Sequence, residues 1–351
     1  MKGSGVRSTG DSPRRICIVM MSAVGDAVHV LPVVNALKRA DPGCHITWVL
    51  QPVPATLVRG HPAVDDIIIF DRAEGWSAFT SAAREMRKRH FDLLIDLQVY
   101  FKAGILTAMS GARLRLGFDV SRARDANWLF TTERIHRSPV KHVQDQYFEF
   151  LEHLGVDHES VEWGLGPWQG ELEWQKEFVA RFNRPIAAIV VATSKPEKDW
   201  IPERWAEVCD VLTELYGLQP VLVGGTSPRE VAAADSIRDY AIHKPVSMLG
   251  SGLRKLVGIL DASALVLAPD TGPLHMAVAL GRPVISLIGY TDPRRTGPYR
   301  DFHDLIVDGY HDPDESGPVT MRTRPARMDQ ISVGEVIEKI ELWAQRYRPK
   351  S

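Results

Sequence analysis

Asp270-Thr271-Gly272-Pro273-Leu274-His275 stands directly behind the apolar run Ala264–Pro269. A strand that stops at an aspartate, turns on Thr-Gly and enters a helix with proline at its first position offers main-chain N–H groups and the positive end of a helix dipole, an arrangement that binds anions. Gly272 lets an anion approach the backbone, the Thr271 hydroxyl adds a donor, and His275 lies within the first turn, where it can face the same ligand. Read alone, the pattern also describes a helix cap over a core histidine. A second polar turn, with Thr193, Ser194, Lys195 and Lys198, follows the run Ile186–Ala192, and a helix opens at Pro202. Two hydroxyls and two ammonium groups at a strand end suit a diphosphate, although exposed loop lysines are also simply solvated. The third turn comes first in the chain. An apolar run ends near Met21, Gly25 turns, and Asp26 caps a helix whose dipole favours the ionised carboxylate. That carboxylate is either a plain N-cap or a general base.

Other chemistries lack their residues. No Gly-x-Gly-x-x-Gly follows the first strand, so a dinucleotide site is not expected, and no Walker loop, His-Glu-x-x-His or Gly-x-Ser-x-Gly occurs. No Asp-x-Asp follows a strand, so no metal site is expected. Cys17, Cys44 and Cys209 have neither metal-ligand spacing nor an even count, which fits a reducing cytoplasm, and Cys17 and Cys209 fall in patterns that read as core. A net charge of −2 argues against a dedicated nucleic-acid binder. No apolar run approaches the ~20 residues of a membrane span.

Short apolar runs alternate with helical patterns through most of the 351 residues. Strands are predicted at 15–20, 45–50, 66–70 and 92–97, with helices at 26–39, 75–89 and 101–110. The rhythm breaks after a long amphipathic segment ending at Gly155 and restarts at Ile186. Strands then follow at 186–192, 220–225, 264–269 and 283–288, with helices at 202–216, 228–240, 253–260 and 273–280. A last helix is capped by Ser332. Continuous apolar strands between helices mean parallel sheets covered on both faces. The expected organisation is a disordered leader over 1–14, a Rossmann-like domain over 15–155, a linker over 156–185, a second such domain over 186–330 and a closing helical segment over 331–351. Ligands of such sheets bind at the carboxyl ends of the strands, and two such edges facing each other would make one cleft.

Three motifs now carry a resemblance: "SAVGDAVHVLP" (Ser22–Pro32), "ATSKPEKDWIPERW" (Ala192–Trp205) and "DTGPLHMA" (Asp270–Ala277), the last followed by "GRPVISLIGYTDP". In this order and spacing they resemble the ADP-heptose glycosyltransferases of glycosyltransferase family 9, and the form of the first motif resembles the heptosyltransferase I branch. The resemblance implies an α/β protein of GT-B fold, two facing Rossmann-like doubly wound parallel-sheet domains, with the final helix crossing back to the first. It implies inverting, metal-independent transfer of L-glycero-D-manno-heptose from ADP-heptose, bound in the C-terminal domain, to the Kdo region of the lipopolysaccharide inner core. Asp26 would be the catalytic base. Thr193, Ser194, Lys198, Asp270, Thr271, Gly272 and His275 would hold the donor diphosphate. Glu230, a little beyond the position of the family's ribose-binding glutamate, would contact the adenosine. No cofactor is expected beyond the donor substrate itself.

The acceptor side is read from charge. Residues 84–141 contain twelve Lys and Arg against six Asp and Glu, a balance that suits phosphates, Kdo carboxylates or an anionic membrane surface, although "REMRKRH" also reads as a solvated helix face. The acceptor candidates are His29, Lys102, Arg122 and Arg124. Lys102, following "DLQ", and Arg124 best match the family's acceptor-facing lysine and arginine. The chain lacks part of the family's arginine-rich insertion near residues 60–80. The resemblance thus implies a monomer in the cytoplasm, peripheral at the inner membrane's cytoplasmic face, acting on a Kdo-lipid A acceptor. Two other readings stay open: an ADP-heptose transferase with an outer-core sugar or protein acceptor, and a GT-B-fold epimerase or hydrolase of sugar nucleotides.

Overall fold

Runs such as Ile16–Val19, Ile186–Val190 and Val284–Ile288 put apolar side chains on both faces of a strand, and all of them are buried. Only a sheet covered on both sides satisfies them. The computed structural model describes residues 14–348, so the expected leader lies, except for Arg14, outside the described residues. The chain divides into two units. The first runs to Pro139 and resumes over Val143–Gly164; the second holds Val140–His142 and the described chain from Leu165 onward.

In the first unit the order is β1 (Arg15–Val19), α1 (Val24–Ala40), β2 (His45–Leu50), α2 (Pro52–Val58), β3 (Asp66–Ile69), α3 (Trp76–Arg89), β4 (Leu93–Asp96), α4 (Phe101–Met109), β5 (Leu114–Gly117), β6 (Glu133–Arg134) and α5 (Val143–Leu154). In the second it is α6 (Leu172–Val179), β7 (Ile186–Val190), α7 (Pro202–Glu214), β8 (Gln219–Val223), α8 (Pro228–Tyr240), β9 (Val246–Ser247), α9 (Leu253–Ala262), β10 (Ser263–Pro269), α10 (Gly272–Ala279), β11 (Val284–Ile288), α11 (Pro293–Thr296), β12 (Ile306–Asp308) and α12 (Val333–Arg346). The sheets read β3-β2-β1-β4-β5-β6 and β12-β11-β10-β7-β8-β9, with parallel pairing throughout. Each is the doubly wound order 3-2-1-4-5-6, the second written from the opposite edge. In both, the winding reverses beside the first strand, between β1 and β4 and between β7 and β10, where the fold opens a crevice at the strand ends.

Each unit has its own core. Cys17, Val19, Val49, Phe79, Met86 and Leu94 lie in the core of the first, and Cys209 packs with Trp200, Trp205, Leu222 and Leu267 in the second. The expectation of core packing for Cys17 and Cys209 therefore holds, and burial pushes both thiols far above their ordinary range. The buried indoles of Trp48, Trp200 and Trp343 each donate to a main-chain carbonyl, at Met20, Ile331 and Ala264, which removes the cost of burying an unpaired N–H.

Two boundaries differ from expectation. The linker of 156–185 is divided between the units, and its second part contains α6. Phe178 of α6 is fully buried, Trp174 stacks on it at 5.3 Å, and the Gln175 amide donates to Gly258 O and Asp261. The closing helix, expected to cross to the first domain, belongs in its described part to the second unit. Val336, Ile340 and Trp343 of α12 are fully buried in that unit's core, and Tyr347, just past it, donates to Asp304. Apolar residues on one stripe of α12 decide the matter, since they need a partner surface and the second core supplies one.

Candidate functional site

The second unit gathers its polar turns around one carboxylate. Asp270 follows β10 directly and is only 7% exposed. Its Oδ2 accepts from Lys198 Nζ at 2.7 Å, from Thr291 Oγ1 at 2.5 Å and from Thr296 Oγ1 at 3.1 Å. His275 Nε2 lies 3.8 Å from Oδ1. Burial, the strongest single influence, opposes charge on Asp270, yet hydrogen bonding from His275 and the Lys198 ammonium together hold its carboxyl far below the ordinary range. The aspartate is therefore an ionised hub that fixes the lysine at the strand end. Lys198 also reaches Asp270 O at 3.3 Å. Thr271 is the N-cap of α10 and Gly272 its first residue. Pro273 has no N–H and the Leu274 amide bonds back to Thr271 O at 3.1 Å, so the helix starts two residues past the aspartate that holds the lysine.

The other half of this turn is shaped by Thr193. Its hydroxyl donates to Lys195 O at 2.7 Å and accepts from the Lys195 amide, while its own amide donates to Asp199 Oδ1 at 2.7 Å. The expected diphosphate contact from this hydroxyl gives way to a turn-forming role, because the side chain is buried and already bonded on both sides. Ser194 is exposed at the tip. Arg229 pairs with Asp199 Oδ2 at 3.1 Å and donates to Thr193 O, so a residue of α8 braces the same turn. Glu230 does not reach into this cluster. Its carboxylate closes the capping box of α8, accepting from the Gly225 amide at 2.6 Å and the Ser227 hydroxyl at 2.7 Å. Burial opposes its charge, but these donors keep its carboxyl below the usual range. The structure thus brings Lys198, Asp270, Thr271, Gly272 and His275 together and leaves Glu230 as a cap.

In the first unit, α1 begins at Val24 with Ala23 as N-cap, two residues ahead of the expected start. Asp26 is the third residue of the helix, and its Oδ2 accepts from the Ala23 amide at 2.8 Å. Its Oδ1 accepts from Tyr147 Oη of α5 at 3.3 Å. The Ser22–Ala23 peptide just before it is cis. Asp26 therefore stands at the end of β1 with one oxygen tied to the helix start and the other facing a phenol. His29, one turn on, is buried, and its Nδ1 pairs with Gln144 Oε1 at 3.1 Å while Gln144 Nε2 donates to His29 O at 2.8 Å. That pairing makes it part of the α1–α5 packing.

Of the three basic acceptor candidates, Lys102 and Arg124 are exposed and Arg122 is not. Lys102 lies in the first turn of α4, the helix after β4, and Arg124 lies between β5 and β6, its amide donating to Val99 O at 2.7 Å. Arg122 is 6% exposed, with Asp119 Oδ2 at 2.5 Å and Glu149 Oε2 at 2.6 Å. Burial opposes its charge, and the two carboxylates outweigh that and raise its pKa. A guanidinium held this way ties β5's loop to α5, and the expectation that it faces an acceptor is corrected. In α3, Lys88 and Arg89 pair with Glu85, Arg89 also reaches Asp66, and Arg87 donates to Met109 O.

Sequence reasoning missed Tyr147, Thr291, Thr296, Arg229 and Asp96. Thr291 lies in the quoted "GYTDP" stretch and Arg229 directly before Glu230, but only their chain positions were visible. Asp96 ends β4, is fully buried, and accepts from Thr107 Oγ1, Asn127 Nδ2 and the Gln98 amide. Burial pushes its carboxyl up to about 7 despite those three donors. Among the described residues, no group of three or more His, Cys, Asp or Glu is arranged to hold a metal ion, and no helix is long and apolar enough to cross a membrane.

Residues 79–316 match the sequence profile of "Glycosyltransferase family 9 (heptosyltransferase)". The chain is 31% identical over 297 residues to the lipopolysaccharide core heptosyltransferase OpsX of Haemophilus influenzae, covering 84% of this chain and 85% of that protein. It is 29% identical to lipopolysaccharide heptosyltransferase 1 of Salmonella typhimurium over 81% of this chain and 91% of that one. The solved structure of E. coli heptosyltransferase WaaC with ADP superposes with a TM-score of 0.74 over 95% of this chain and 99% of that one, at 23% identity, which is a likeness of fold.

Proposed function

The chain belongs to glycosyltransferase family 9, and from that premise we propose that it moves L-glycero-D-manno-heptose from ADP-heptose to the Kdo region of the lipopolysaccharide inner core, inverting the anomeric centre without a metal ion. The observation that carries this reading is the Lys198–Asp270 pair beside the Gly272 helix start, at the switch point of the second sheet. A carboxylate with that many donors keeps the ammonium fixed at the strand end. The cation and the helix dipole would then stabilise the charge that grows on the diphosphate as the bond to the sugar breaks. In enzymes that use a divalent cation, the cation does this work. The names of the curated relatives and the ADP held by the E. coli structure support the donor and the acceptor class.

Asp26 is the proposed base. It would take the proton of the acceptor hydroxyl as that oxygen attacks the heptose carbon and ADP departs from the opposite face. A general base must come within ~2.6–3.2 Å of that hydroxyl. Tyr147 donates to one Asp26 oxygen and so orients the carboxylate. Lys102 and Arg124 would receive the acceptor's carboxylates or phosphates, and the basic stretch of 84–141 would rest on the anionic inner leaflet.

Asp26→Ala is expected to lower transfer by about 10²–10⁴-fold while titration calorimetry shows ADP-heptose binding near the wild-type value. Turnover within a few-fold of wild type would remove Asp26 from the role of base and leave the donor assignment standing.

A further inference from the structure

Asp96 and Asp270 occupy matching places. Each carboxylate comes at the end of the strand next to the first strand of its sheet, β4 beside β1 and β10 beside β7. Both are buried. Around Asp270 the loops of its unit converge to hold Lys198. Around Asp96 there is no cation within hydrogen-bond reach among the described residues; its partners are neutral, and each comes from a different chain segment. Gln98 N–H belongs to the segment leaving β4, at 3.1 Å from Oδ1. Thr107 Oγ1 comes from the second turn of α4, at 3.0 Å from Oδ2. Asn127 Nδ2 comes from the stretch between β5 and β6, at 3.1 Å from the same oxygen.

These partners connect onward to the residues that matter for the acceptor. Asn127 also donates to Tyr100 O at 3.0 Å, the residue that caps α4 just ahead of Lys102. The Asn127 amide donates to Arg124 O, and the Arg124 amide donates to Val99 O. The Gln98 side chain donates to Ser22 O at 3.1 Å, in the turn that leads to Asp26. Thus one carboxylate ties together the three chain segments bearing Asp26, Lys102 and Arg124, and touches none of those side chains. A buried carboxylate costs free energy, and replacing it with an apolar group would spare that cost. The chain retains it where it has three donors to collect.

We propose that Asp96 is the positioning residue of the acceptor site: by accepting from Gln98, Thr107 and Asn127 it sets the places of Lys102 and Arg124 relative to the Asp26 turn. The inference rests on the reading that Lys102 and Arg124 contact the acceptor. A small shift of two charged side chains that meet an anionic acceptor weakens acceptor binding and leaves the donor side, built in the other unit, unchanged. The defect belongs in KM for the acceptor.

Steady-state kinetics with ADP-heptose and Kdo₂-lipid A tests this. Asp96→Asn keeps the size of the side chain and turns one accepting oxygen into a donor facing other donors. It is expected to raise the acceptor KM about tenfold, with the donor KM within about threefold of wild type. Thr107→Val, which removes a single donor and serves if Asp96→Asn does not fold, is expected to raise the acceptor KM about threefold with the donor KM unchanged. In a Lys102→Ala/Arg124→Ala background, either change is expected to add nothing further to the acceptor KM, because it acts through those two side chains. Equal rises in donor and acceptor KM, an unchanged acceptor KM, or full multiplication in the double background would overturn the positioning role while leaving the acceptor reading intact. If Lys102→Ala/Arg124→Ala alone leaves the acceptor KM unchanged, the acceptor reading itself fails and the inference falls with it.

Discussion

Lys198 meets two demands at once. Its ammonium neutralises the buried Asp270 carboxylate, at 2.7 Å, and in the proposed reaction it also faces the donor diphosphate. Its removal therefore has two consequences that can be read separately. Lys198→Ala is expected to weaken ADP-heptose binding by roughly 10–100-fold, the range of a charge-assisted contact, while binding of adenosine, which lacks the diphosphate, changes little. Calorimetry with both ligands checks this, and equal losses for the two would remove the diphosphate role. The same variant strands a buried carboxylate, an effect worth about 3–5 kcal/mol when one partner of a buried pair is deleted, so its melting temperature is expected to fall as well. Lys198→Ala/Asp270→Asn should recover part of that stability and none of the affinity. At this scale the sequence was partly legible. An apolar run that stops at Asp-Thr-Gly-Pro is a local signal, and it marked the turn where Lys198, Asp270 and His275 meet. What Asp270 does there was hidden, because Thr291 and Thr296 come from the loop behind the next strand. Arg122 was misjudged for the same reason: its exposure depends on Glu149, on α5, far along the chain.

Among the elements, the ends of β4 and β10 show how one position in a fold takes opposite electrostatic settings. Asp270 has Lys198 and His275 and stays ionised; Asp96 has only neutral donors, and burial pushes its carboxyl up to about 7 from an ordinary 3.8. Between those two pH values the folded chain holds the Asp96 proton and the unfolded chain has lost it. Stability from this group therefore declines as pH rises through that window and is fully spent above it. Asp96→Asn has no such proton. Melting curves from pH 5 to pH 8 are expected to show the wild type losing stability relative to Asp96→Asn as pH rises; parallel curves would show that Asp96 keeps an ordinary pKa in the fold. Most central strands and most helices were legible because their apolar residues repeat along the chain; the four-residue β5, with Arg115 among its residues, was not. The edge strands β6, β9 and β12 were not. They are two or three residues long and carry Glu133, Arg134, Ser247 and Asp308, since an edge strand is short and only partly covered. The helix α6 was also missed, its few apolar residues being lost among tryptophans, glycines and prolines.

For the whole molecule, the main fact is repetition. Two units with the same strand order each place a polar cluster where the winding of the sheet reverses, and the two clusters are built from different groups. One cluster gathers a cation, a helix start and hydroxyls, which in the proposed reaction would meet the leaving diphosphate. The other holds Asp26 at the start of α1, with Lys102 on α4 and Arg124 between β5 and β6. This division suits group transfer better than epimerisation, which needs acid and base groups on both faces of one sugar, and the buried His29 is engaged with Gln144. The division into two α/β halves was legible from the break and restart of the strand rhythm. The placement of the final helix was not, because a stripe of apolar residues says that a helix needs a partner and leaves open which surface supplies it.

The most direct measurement is a single incubation of the purified protein with ADP-heptose and Kdo₂-lipid A in excess chelator, followed by mass spectrometry of the lipid and quantitation of ADP. The expected result is lipid heavier by one heptose residue, with one ADP released for each transfer and no gain on adding magnesium. Unmodified lipid together with hydrolysed or epimerised ADP-heptose, or transfer seen only after magnesium is restored, would contradict it.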